Sequence, residues 1–556
     1  MRGTSNAQMA NLTWWQVLKR VLIGSVILTT GAEFLTTLMV RSSGWVLSSR
    51  HLHFSAPKLK AKVITVTSLG TWRTSNQSIN LDWVTDPKHT SVKIINSKPT
   101  YHVGDTLVLE VIARDGNKRR KVYGGDYLRA VLRDKKQKAS TTGRVRDHGN
   151  GRYTVSFLLS FPGRVTPEVQ LIHPSEAVQL LRELREIPNK RRWTCAFKGK
   201  RRRDVEMKCT LLANQFISLS SQCDFSALNT SRTWFCEKPK KTSCDKITKC
   251  KSSLDTVAKL MTSQEERKLF ESPFFRSNLP PVTKGAIEVF NVDENATVTR
   301  PLPFCQPGVP HSGSRGFWFR NTWHSLSCQV RQFSPLDIAK CLANHKIHFR
   351  GDSTCRQWID RLGGLKVFQE GGDKRARLYF RHYANYKSRI QATFIFHTAP
   401  IQGPWSPFRN LSEAGVSVDI KKMVGGANVV LVLSLCAHFT AEPTHVYRSR
   451  MHEVRSAIKE LHKKYPETTV IVKTCNTRHH RHYREVIQAS DWLADQLNQE
   501  MRGILGDLNV AILDVWDMTV SQWYAQDLHP NVHVVDNELN ILMSYICPWM
   551  ITNIEG

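Results

Sequence analysis

Acidic residues are scarce in this chain. Its 556 residues include 79 lysines and arginines but only 47 aspartates and glutamates, which gives a formal net charge of +32. A positive field of this size attracts polyanions. No nucleic-acid-binding motif accompanies the charge. We therefore expect no nucleic acid partner, and the choice among other polyanions depends on the compartment in which the chain folds.

The chain also lacks any Cys-x-x-Cys pair, although it contains 13 cysteines. This absence leaves a zinc site without support, and no metal is predicted. Six cysteines lie between Cys195 and Cys250. Such density predicts disulfides formed in an oxidising compartment. Six cysteines allow fifteen pairings, among which the sequence does not choose. The odd total leaves at least one thiol free or bonded to a partner.

A clear signal-peptidase site is missing as well. Residues 19–41 contain Lys19-Arg20, the run VLIGSVILTTGAEFLTTLMV and Arg41. A run of about twenty residues is long enough to cross a bilayer. The basic residues before it outnumber those just after it, which favours a cytosolic N-terminus at residues 1–18. We expect a single-pass type II membrane protein of the Golgi or, if the segment is a cleaved signal peptide, a secreted protein. A buried helix is a third interpretation.

Four Asn-x-Ser/Thr triplets fit this route. They begin at Asn76, Asn229, Asn295 and Asn410. Such triplets are acceptors for N-glycosylation in the secretory pathway. Together with the cysteines they predict a disulfide-bonded glycoprotein. The positive charge is therefore expected to meet an acidic glycan, a glycoprotein substrate or a membrane surface.

Residues 42–90 are polar and without clear periodicity, and we interpret them as a stalk. The next segment, 91–185, alternates apolar and polar residues. Inward positions of one strand are Tyr153, Val155, Phe157, Leu159 and Phe161. This period of two, with glycine-containing turns between the runs, predicts short antiparallel strands in a β-sandwich.

Several phrases of this region resemble the neurexophilins. They are YHVGDTLVLEVIARD, YGGDYLRA, DHGNGRYTVSF and LIHPSEAVQLL, followed by CAF, CDFSAL and WFCEKPKKTSCD. The resemblance implies an immunoglobulin-like sandwich at 91–185, then a cysteine-rich segment and linker at 186–340. It also implies a neurexin-like receptor as a partner.

After about residue 340 strands and helices alternate. NVVLVLSL is continuously apolar, as is typical of a strand covered on both faces. Val486, Leu493, Leu497 and Met501 predict one amphipathic helix further along the chain. The order of strands and helices predicts a doubly wound α/β domain over 341–556, with its active site at the carboxyl ends of the strands. The whole chain is thus α/β plus all-β.

The stretch HFRGDSTCRQWID lies at the end of the first of these strands. Its Arg-Gly-Asp tripeptide matches an adhesion motif, but adhesion needs a protruding loop and this context offers none. At a strand-to-helix turn Ser353 is instead placed to act as a nucleophile, with N–H groups of the helix start nearby. His529, in QDLHPN, is the candidate base and Asp527 its partner. His438 directly follows another strand.

This pattern resembles the SGNH/GDSL hydrolases, and Arg356-Gln357 after the serine is similar to their PC-esterase branch. A neurexophilin-like half joined to a PC-esterase half is the architecture of the NXPE family. The resemblance implies Ser353 as nucleophile, His529 as base and Asp527 as its partner. Its implied oxyanion donors are the Ser353 amide, His438 and Gly403. Two departures stand out: one residue instead of two separates Asp527 from His529, and Cys436 leads the block that usually begins with glycine.

Two functions remain open. The first is an acyl esterase or O-acetyltransferase of the secretory pathway that acts on glycans and needs no cofactor beyond an acyl donor such as acetyl-CoA. The alternative is a catalytically inactive neurexophilin-like glycoprotein that binds a cell-surface receptor or a matrix glycan.

The histidine-rich run RHHRHYR, residues 478–484, is interpreted as surface or as a basic rim for an anionic glycan. Cys355 is expected to be oxidised or packed in its helix.

Overall fold

The computed structural model of the chain describes residues 79–199, 203–213, 218–228, 230–252, 263–283, 285–291, 302–309, 315–371, 378–401, 405–524 and 527–551. The predicted anchor at 19–41 lies outside these residues, as do Asn76, Asn229, Asn295 and Gly403. Within the described residues no helix is both long and apolar enough to span a bilayer.

The first part of the described chain is antiparallel β structure. Its strands are β1 (Ser91–Ile94), β2 (Tyr101–His102), β3 (Thr106–Ile112), β4 (Tyr127–Asp134), β5 (Ala139–Asp147), β6 (Arg152–Leu158) and β7 (Gly163–His173). The order along the sheet is β1-β3-β6-β5-β4-β7, and each of these neighbours is antiparallel. The predicted alternation is confirmed, because every second residue of β3 and β6 is buried in one apolar core. The immunoglobulin-like assignment stays a prediction.

A helix and a second sheet follow. The elements are α1 (Ser175–Glu186), β8 (Trp193–Lys198), β9 (Asp204–Thr210), β10 (Gln222–Asp224), β11 (Phe235–Glu237) and β12 (Ile247–Ser252). The pairings that the sequence left open are Cys195–Cys250, Cys209–Cys236 and Cys223–Cys244. The first two join neighbouring strands, β8 to β12 and β9 to β11. These cross-links join strands whose buried side chains, among them Trp193 and Phe197, belong to the same apolar core as residues of the α/β part.

The segment predicted as a linker returns to the first sheet. Its elements are α2 (Gln264–Lys268), β13 (Ser277–Asn278), β14 (Ile287–Phe290), β15 (Gly316–Phe319) and β16 (Thr322–Ser325). Strands β13 and β14 pair with β7, β15 pairs with β5, and β14 also pairs with β2 in parallel. This segment is therefore part of the N-terminal sheet as well as a connection.

The C-terminal part is a seven-stranded sheet with helices. Its strands are β17 (Lys346–Gly351), β18 (Gln369–Gly371), β19 (Phe380–Asn385), β20 (Ile390–Phe396), β22 (Val429–Ser434), β23 (Thr469–Lys473) and β24 (Ala511–Leu513), while β21 (Ser406–Pro407) joins the cysteine-rich sheet beside β12. Its helices are α3 (Pro335–Cys341), α4 (Ser353–Gly363), α5 (Val416–Lys421), α6 (Thr444–Lys464), α7 (Tyr483–Ala489), α8 (Asp491–Leu505), α9 (Trp516–Ser521) and α10 (Val532–Ile546).

The strand order is β18-β19-β20-β17-β22-β23-β24, and the five strands from β20 to β24 are parallel. Alternate residues of β22 enter two different cores: Val430 and Val432 pack on the side of α4 and α10, Leu431 and Leu433 on the side of α6 and α8. The doubly wound arrangement is thus confirmed, with the antiparallel β18 and β19 added at one edge. The chain leaves β17 in both directions, so the crevice at β17 and β22 is the topological switch point.

The single helix predicted from Val486 to Met501 is two helices. Ser490 separates α7 from α8, and its hydroxyl accepts a hydrogen bond from the Leu493 N–H at 3.2 Å, which caps α8. Serine competes for the backbone in this way at helix starts. The apolar spacing alone does not reveal the interruption, since both helices bury the same face.

Candidate active site

The turn from β17 into α4 is tightly packed. A Cβ added to Gly351 would lie 2.2 Å from the Ser434 carbonyl oxygen of β22. Asp352 then caps α4: its Oδ1 accepts from the N–H and hydroxyl of Thr354, and its Oδ2 accepts from the Ala437 N–H at 2.9 Å. This carboxylate fastens the start of α4 to the loop after β22.

The same turn excludes the adhesion interpretation. Arg350 and Asp352 are both buried, and the Arg350 guanidinium lies 3.6 Å from the Asp419 carboxylate. Burial by itself would raise the pKa of Asp352, but His438 and the hydrogen bonds from Thr354 outweigh it and lower that pKa. A tripeptide whose charged ends are buried and paired offers nothing to a receptor.

Ser353 is the first residue of α4, and its hydroxyl meets the predicted base. The His529 Nε2 lies 2.8 Å from the Ser353 Oγ, across 176 positions of sequence. Because Ser353 begins a helix of 11 residues, its hydroxyl lies beside the positive end of the helix dipole and the N–H groups of the first turn, which have no partner within the helix. The structure therefore brings together the two residues on which the catalytic hypothesis depends.

Two side chains that the sequence analysis did not assign hold the His529 loop. The Gln357 amide donates to the Pro530 carbonyl at 2.6 Å, and the Asn476 amide donates to the Leu528 carbonyl at 3.2 Å. Gln357 lies one helical turn after Ser353 and so shares its face of α4. That spacing is a signal available in the sequence, whereas nothing in the sequence pairs Asn476 with this loop.

Asp527 does not take the position predicted for it. Its Oδ1 accepts from the Leu528 N–H at 2.7 Å, and the carboxylate is exposed. Among the described residues no hydrogen bond joins Asp527 to His529. Only one residue separates Asp527 from His529, and the Asp527 carboxylate bonds to the backbone of its own loop instead of the imidazole. The predicted orientation of the imidazole by Asp527 is thus absent from this geometry.

The surroundings of His529 lower its pKa and so favour the neutral imidazole. Loss of water around the ring lowers its pKa first, and the charge of Arg356 lowers it further; the carboxylates of Asp352 and Asp527 oppose this in part, so the net pKa lies below its ordinary value. A neutral imidazole is the form that accepts a proton from serine. This shift makes the base available at neutral pH.

His438 is buried beside a second histidine. Its Nδ1 lies 2.9 Å from the His397 Nε2, and it also has a hydrogen bond with the backbone of Pro400. Burial lowers the pKa of His438 to about 4, so the ring is neutral at pH 7. Within the described part of the chain, no hydrogen bond links this ring to Ser353. His397, which follows β20, was not identified from the sequence.

The two cysteines near the site differ in state. Cys436 forms a disulfide with Cys475 and joins the loops that follow β22 and β23. Cys436, the residue that departs from the family pattern, thus cross-links two loops of the candidate site. Cys355 is a buried free thiol, and burial raises its pKa. It is packed in its helix, as expected, and the protonated thiol is a poor nucleophile.

Twelve of the 13 cysteines form disulfides, the remaining pairs being Cys305–Cys328 and Cys341–Cys547. This number is typical of proteins that fold in an oxidising compartment. Across the described residues, the only cluster of potential metal ligands is Cys195, Cys209 and Cys236, whose sulfurs are in disulfides.

The histidine-rich run divides into two parts. His480 is buried, and its Nε2 lies 2.7 Å from the Ala489 carbonyl. Arg481 and His482 are exposed, with side chains 74% and 52% accessible. His479 and Arg484 are exposed as well, so four side chains of the run are available as a rim. Of the four predicted glycosylation sites, Asn410 lies within the described residues and is exposed.

Two family models match the chain. The model described as "NXPE family member 4-like, C-terminal domain" matches residues 323–547, and the model described as "Neurexophilin" matches residues 71–278. The two matches together take in most of the sequence and leave residues 279–322 between them unmatched. These matches support the NXPE family as the family of this chain.

Among solved structures, two of a family two carbohydrate esterase from Clostridium thermocellum are similar. An active-site mutant is 16% identical, with 43% of this chain and 70% of that chain covered, and a TM-score of 0.22. The esterase in complex with cellohexaose is 10% identical, with 84% and 99% covered, and a TM-score of 0.23. TM-scores this low carry no argument for this chain.

Proposed function

We propose that this protein transfers or removes an acyl group such as acetyl on a glycan through the nucleophile Ser353. The observation that carries the proposal is the 2.8 Å approach of the His529 Nε2 to the Ser353 Oγ. This pair lies at the carboxyl ends of β17 and its neighbours, the edge at which doubly wound sheets bind their ligands.

The reaction has two steps. The Ser353 Oγ attacks the acyl carbonyl carbon while His529 takes the hydroxyl proton on Nε2. The tetrahedral intermediate then expels the donor's alcohol or thiol, which leaves with that proton, and an acyl-serine remains. A sugar hydroxyl or water next attacks the acyl carbon, gives its proton to His529, and Ser353 regains a proton as the C–O bond breaks. The first acceptor makes the protein a transferase and the second an esterase.

The amide of Ser353 is the proposed main donor to the oxyanion, because the first N–H groups of α4 have no partner within the helix. His438 and Gly403 stay predicted donors. For His438 to act, its ring would have to give up its contact with either His397 or Pro400.

The proposed setting is the lumen of the secretory pathway. Six disulfides support it, and residues 19–41 are the proposed Golgi anchor or signal peptide. The proposed substrate is an acidic glycan or glycoprotein, because the net charge is +32. The acyl donor, for which acetyl-CoA is one candidate, is a substrate and not a resident cofactor.

The test is covalent labelling of the full chain with a serine-directed fluorophosphonate. We expect label on the wild type, none on Ser353→Ala, and unchanged label on Ser156→Ala, a serine in β6 remote from the site. His529→Gln should slow labelling at least about a hundredfold, the scale of a lost general base. Equal labelling of wild type and Ser353→Ala would refute the proposal.

One observation favours the second candidate, an inactive glycoprotein that binds a neurexin-like receptor or a matrix glycan. No hydrogen bond joins Asp527 to His529 within the described residues, so the imidazole lacks the carboxylate partner usual for such a base. This candidate predicts that neither Ser353→Ala nor His529→Gln changes any measurable activity while receptor capture by the full chain persists. Loss of acyl transfer in either variant would contradict it.

A further inference from the structure

A polar cleft lies where the N-terminal sheet meets the C-terminal domain. It encloses about 300 Å³ and is lined on one side by Arg129, Val131 and Arg133 of β4. These residues alternate along the strand, so they share its outer face while Ala130 and Leu132 face the core. Arg276 and Val520 form the opposite side. A volume of about 300 Å³ is at the lower end for small-ligand sites.

Positive charge exceeds negative charge in this arginine cleft, the cavity defined by Arg129, Arg133 and Arg276. Glu168 lies 3.3 Å from the Arg133 guanidinium, and Asp491 accepts from both Arg129 and Arg276. Three guanidinium groups thus share two carboxylates. All three side chains are at least four-fifths buried. A buried cation without a full counter-charge is costly, which an anionic ligand would relieve.

Hydrogen-bond donors are also left over around the cleft. Within the described residues the Arg276 Nε and the Trp523 Nε1 are buried and have no partner. The Arg133 guanidinium lies over the Trp523 ring, 4.7 Å from its centre. Buried donors without an acceptor are rare in native proteins and are commonly explained by a bound group. Excess donors and excess positive charge both call for an oxyanion.

We propose that the arginine cleft is a binding site for an oxyanionic sugar, a saccharide unit that carries a sulfate or carboxylate group. The planar fork of arginine matches both groups. The oxidising compartment that six disulfides indicate favours a glycan over a nucleotide as carrier of the anion. The site is separate from Ser353 and does not depend on acyl transfer.

The cleft is tied to the candidate active site through Arg478, whose N–H donates to Asp491 at 3.1 Å. The Arg276 guanidinium donates to the Arg478 carbonyl, and the Arg478 side chain lines a pocket together with Asn476 and Leu528. Those two residues are the ones joined by the hydrogen bond that holds the His529 loop. A ligand that orders Arg276 therefore acts directly on the backbone beside that loop.

The test is calorimetric titration of the full chain carrying Ser353→Ala, so that turnover does not enter. The probes are three disaccharides of the same sugars: one neutral, one carboxylated and one sulfated. We expect at least one charged disaccharide to bind and the neutral one not to bind. The charged form that binds more tightly identifies the oxyanion.

Two variants with opposite expected effects on affinity test whether the disaccharide binds in the arginine cleft. Arg133→Gln should weaken it about tenfold, the scale of a charged hydrogen bond, and Glu168→Gln should tighten it several-fold because a competing carboxylate is removed. Arg144→Gln, which removes an exposed arginine of β5, is the matched control and should leave affinity unchanged. The proposal fails if no charged disaccharide binds, if the neutral one binds equally, or if Arg133→Gln and Glu168→Gln both behave like the control.

Discussion

The two halves of the candidate active site are built in different ways. Ser353 lies at a turn where backbone, a buried carboxylate and a neighbouring strand leave no freedom. His529 lies on an exposed loop that two side-chain amides hold by its carbonyls. Ser353 is thus fixed by the fold itself, whereas His529 is fixed by a few replaceable contacts. Variants of the residues that build the turn around Ser353 should therefore cost stability, and variants of the residues that hold the His529 loop should cost rate.

The largest effect is expected for Asp352→Ala. This change leaves the N–H groups of Thr354 and Ala437 buried without an acceptor and removes the cap of α4, so the free energy of unfolding should fall by about 3 kcal/mol. Denaturant unfolding of the full chain measures it. Ser353→Ala, one residue further, is the control and should change stability by less than about 0.5 kcal/mol. Equal stability of both variants would contradict the comparison.

Gly351→Ala should come next. The new methyl would approach the Ser434 carbonyl to 2.2 Å, so β17 and β22 would have to separate, at about 1–3 kcal/mol. The matched control is Gly503→Ala in α8, where an added Cβ meets no atom within 4 Å. That variant should be neutral or slightly stabilising, since alanine favours helices. Thermal melts of the two variants measure this difference in stability.

Loosening the His529 loop should affect rate and leave stability nearly unchanged. Gln357→Leu removes the donor to the Pro530 carbonyl, and we expect the rate of fluorophosphonate labelling to fall about tenfold. Asn476→Ala should act in the same direction through Leu528. Gln499→Leu on α8, an exposed side chain whose amide donates to Asp495, serves as the control. A loss of labelling that tracks loss of folding would count against a positioning role.

The smallest effects concern pH. The neutral imidazole is the reactive form, so labelling should be full at high pH and fall as the pH drops through the pKa of His529, which is lowered below 6.5. Removing positive charge by Arg356→Gln should raise that midpoint by a few tenths of a pH unit, and Asp527→Asn should lower it. A rate loss of several orders of magnitude in Asp527→Asn would instead mean that Asp527 orients the imidazole during the reaction.

The sequence predicted that Ser353 and His529 meet above an α/β sheet, but not which contacts support them. Ser353 and His529 stand in motifs that can be read locally, and the apolar run of β22 identifies a covered strand by itself. The hydrogen bond from Asn476 to the Leu528 carbonyl joins loops 52 positions apart, and the Cys436–Cys475 bond depends on which strands are neighbours. Such contacts follow from the tertiary structure, so a single sequence does not reveal them.

The bond between Cys341 and Cys547 joins α3, just before β17, to the residue that follows α10, with 206 positions between them. The candidate active-site residues from Gly351 to Pro530 lie inside this covalent ring. A protease that cuts the ring once, at any exposed loop, would leave both fragments tied together. Such a nick would go unseen on a non-reducing gel and would show as two bands once a reductant opens the ring.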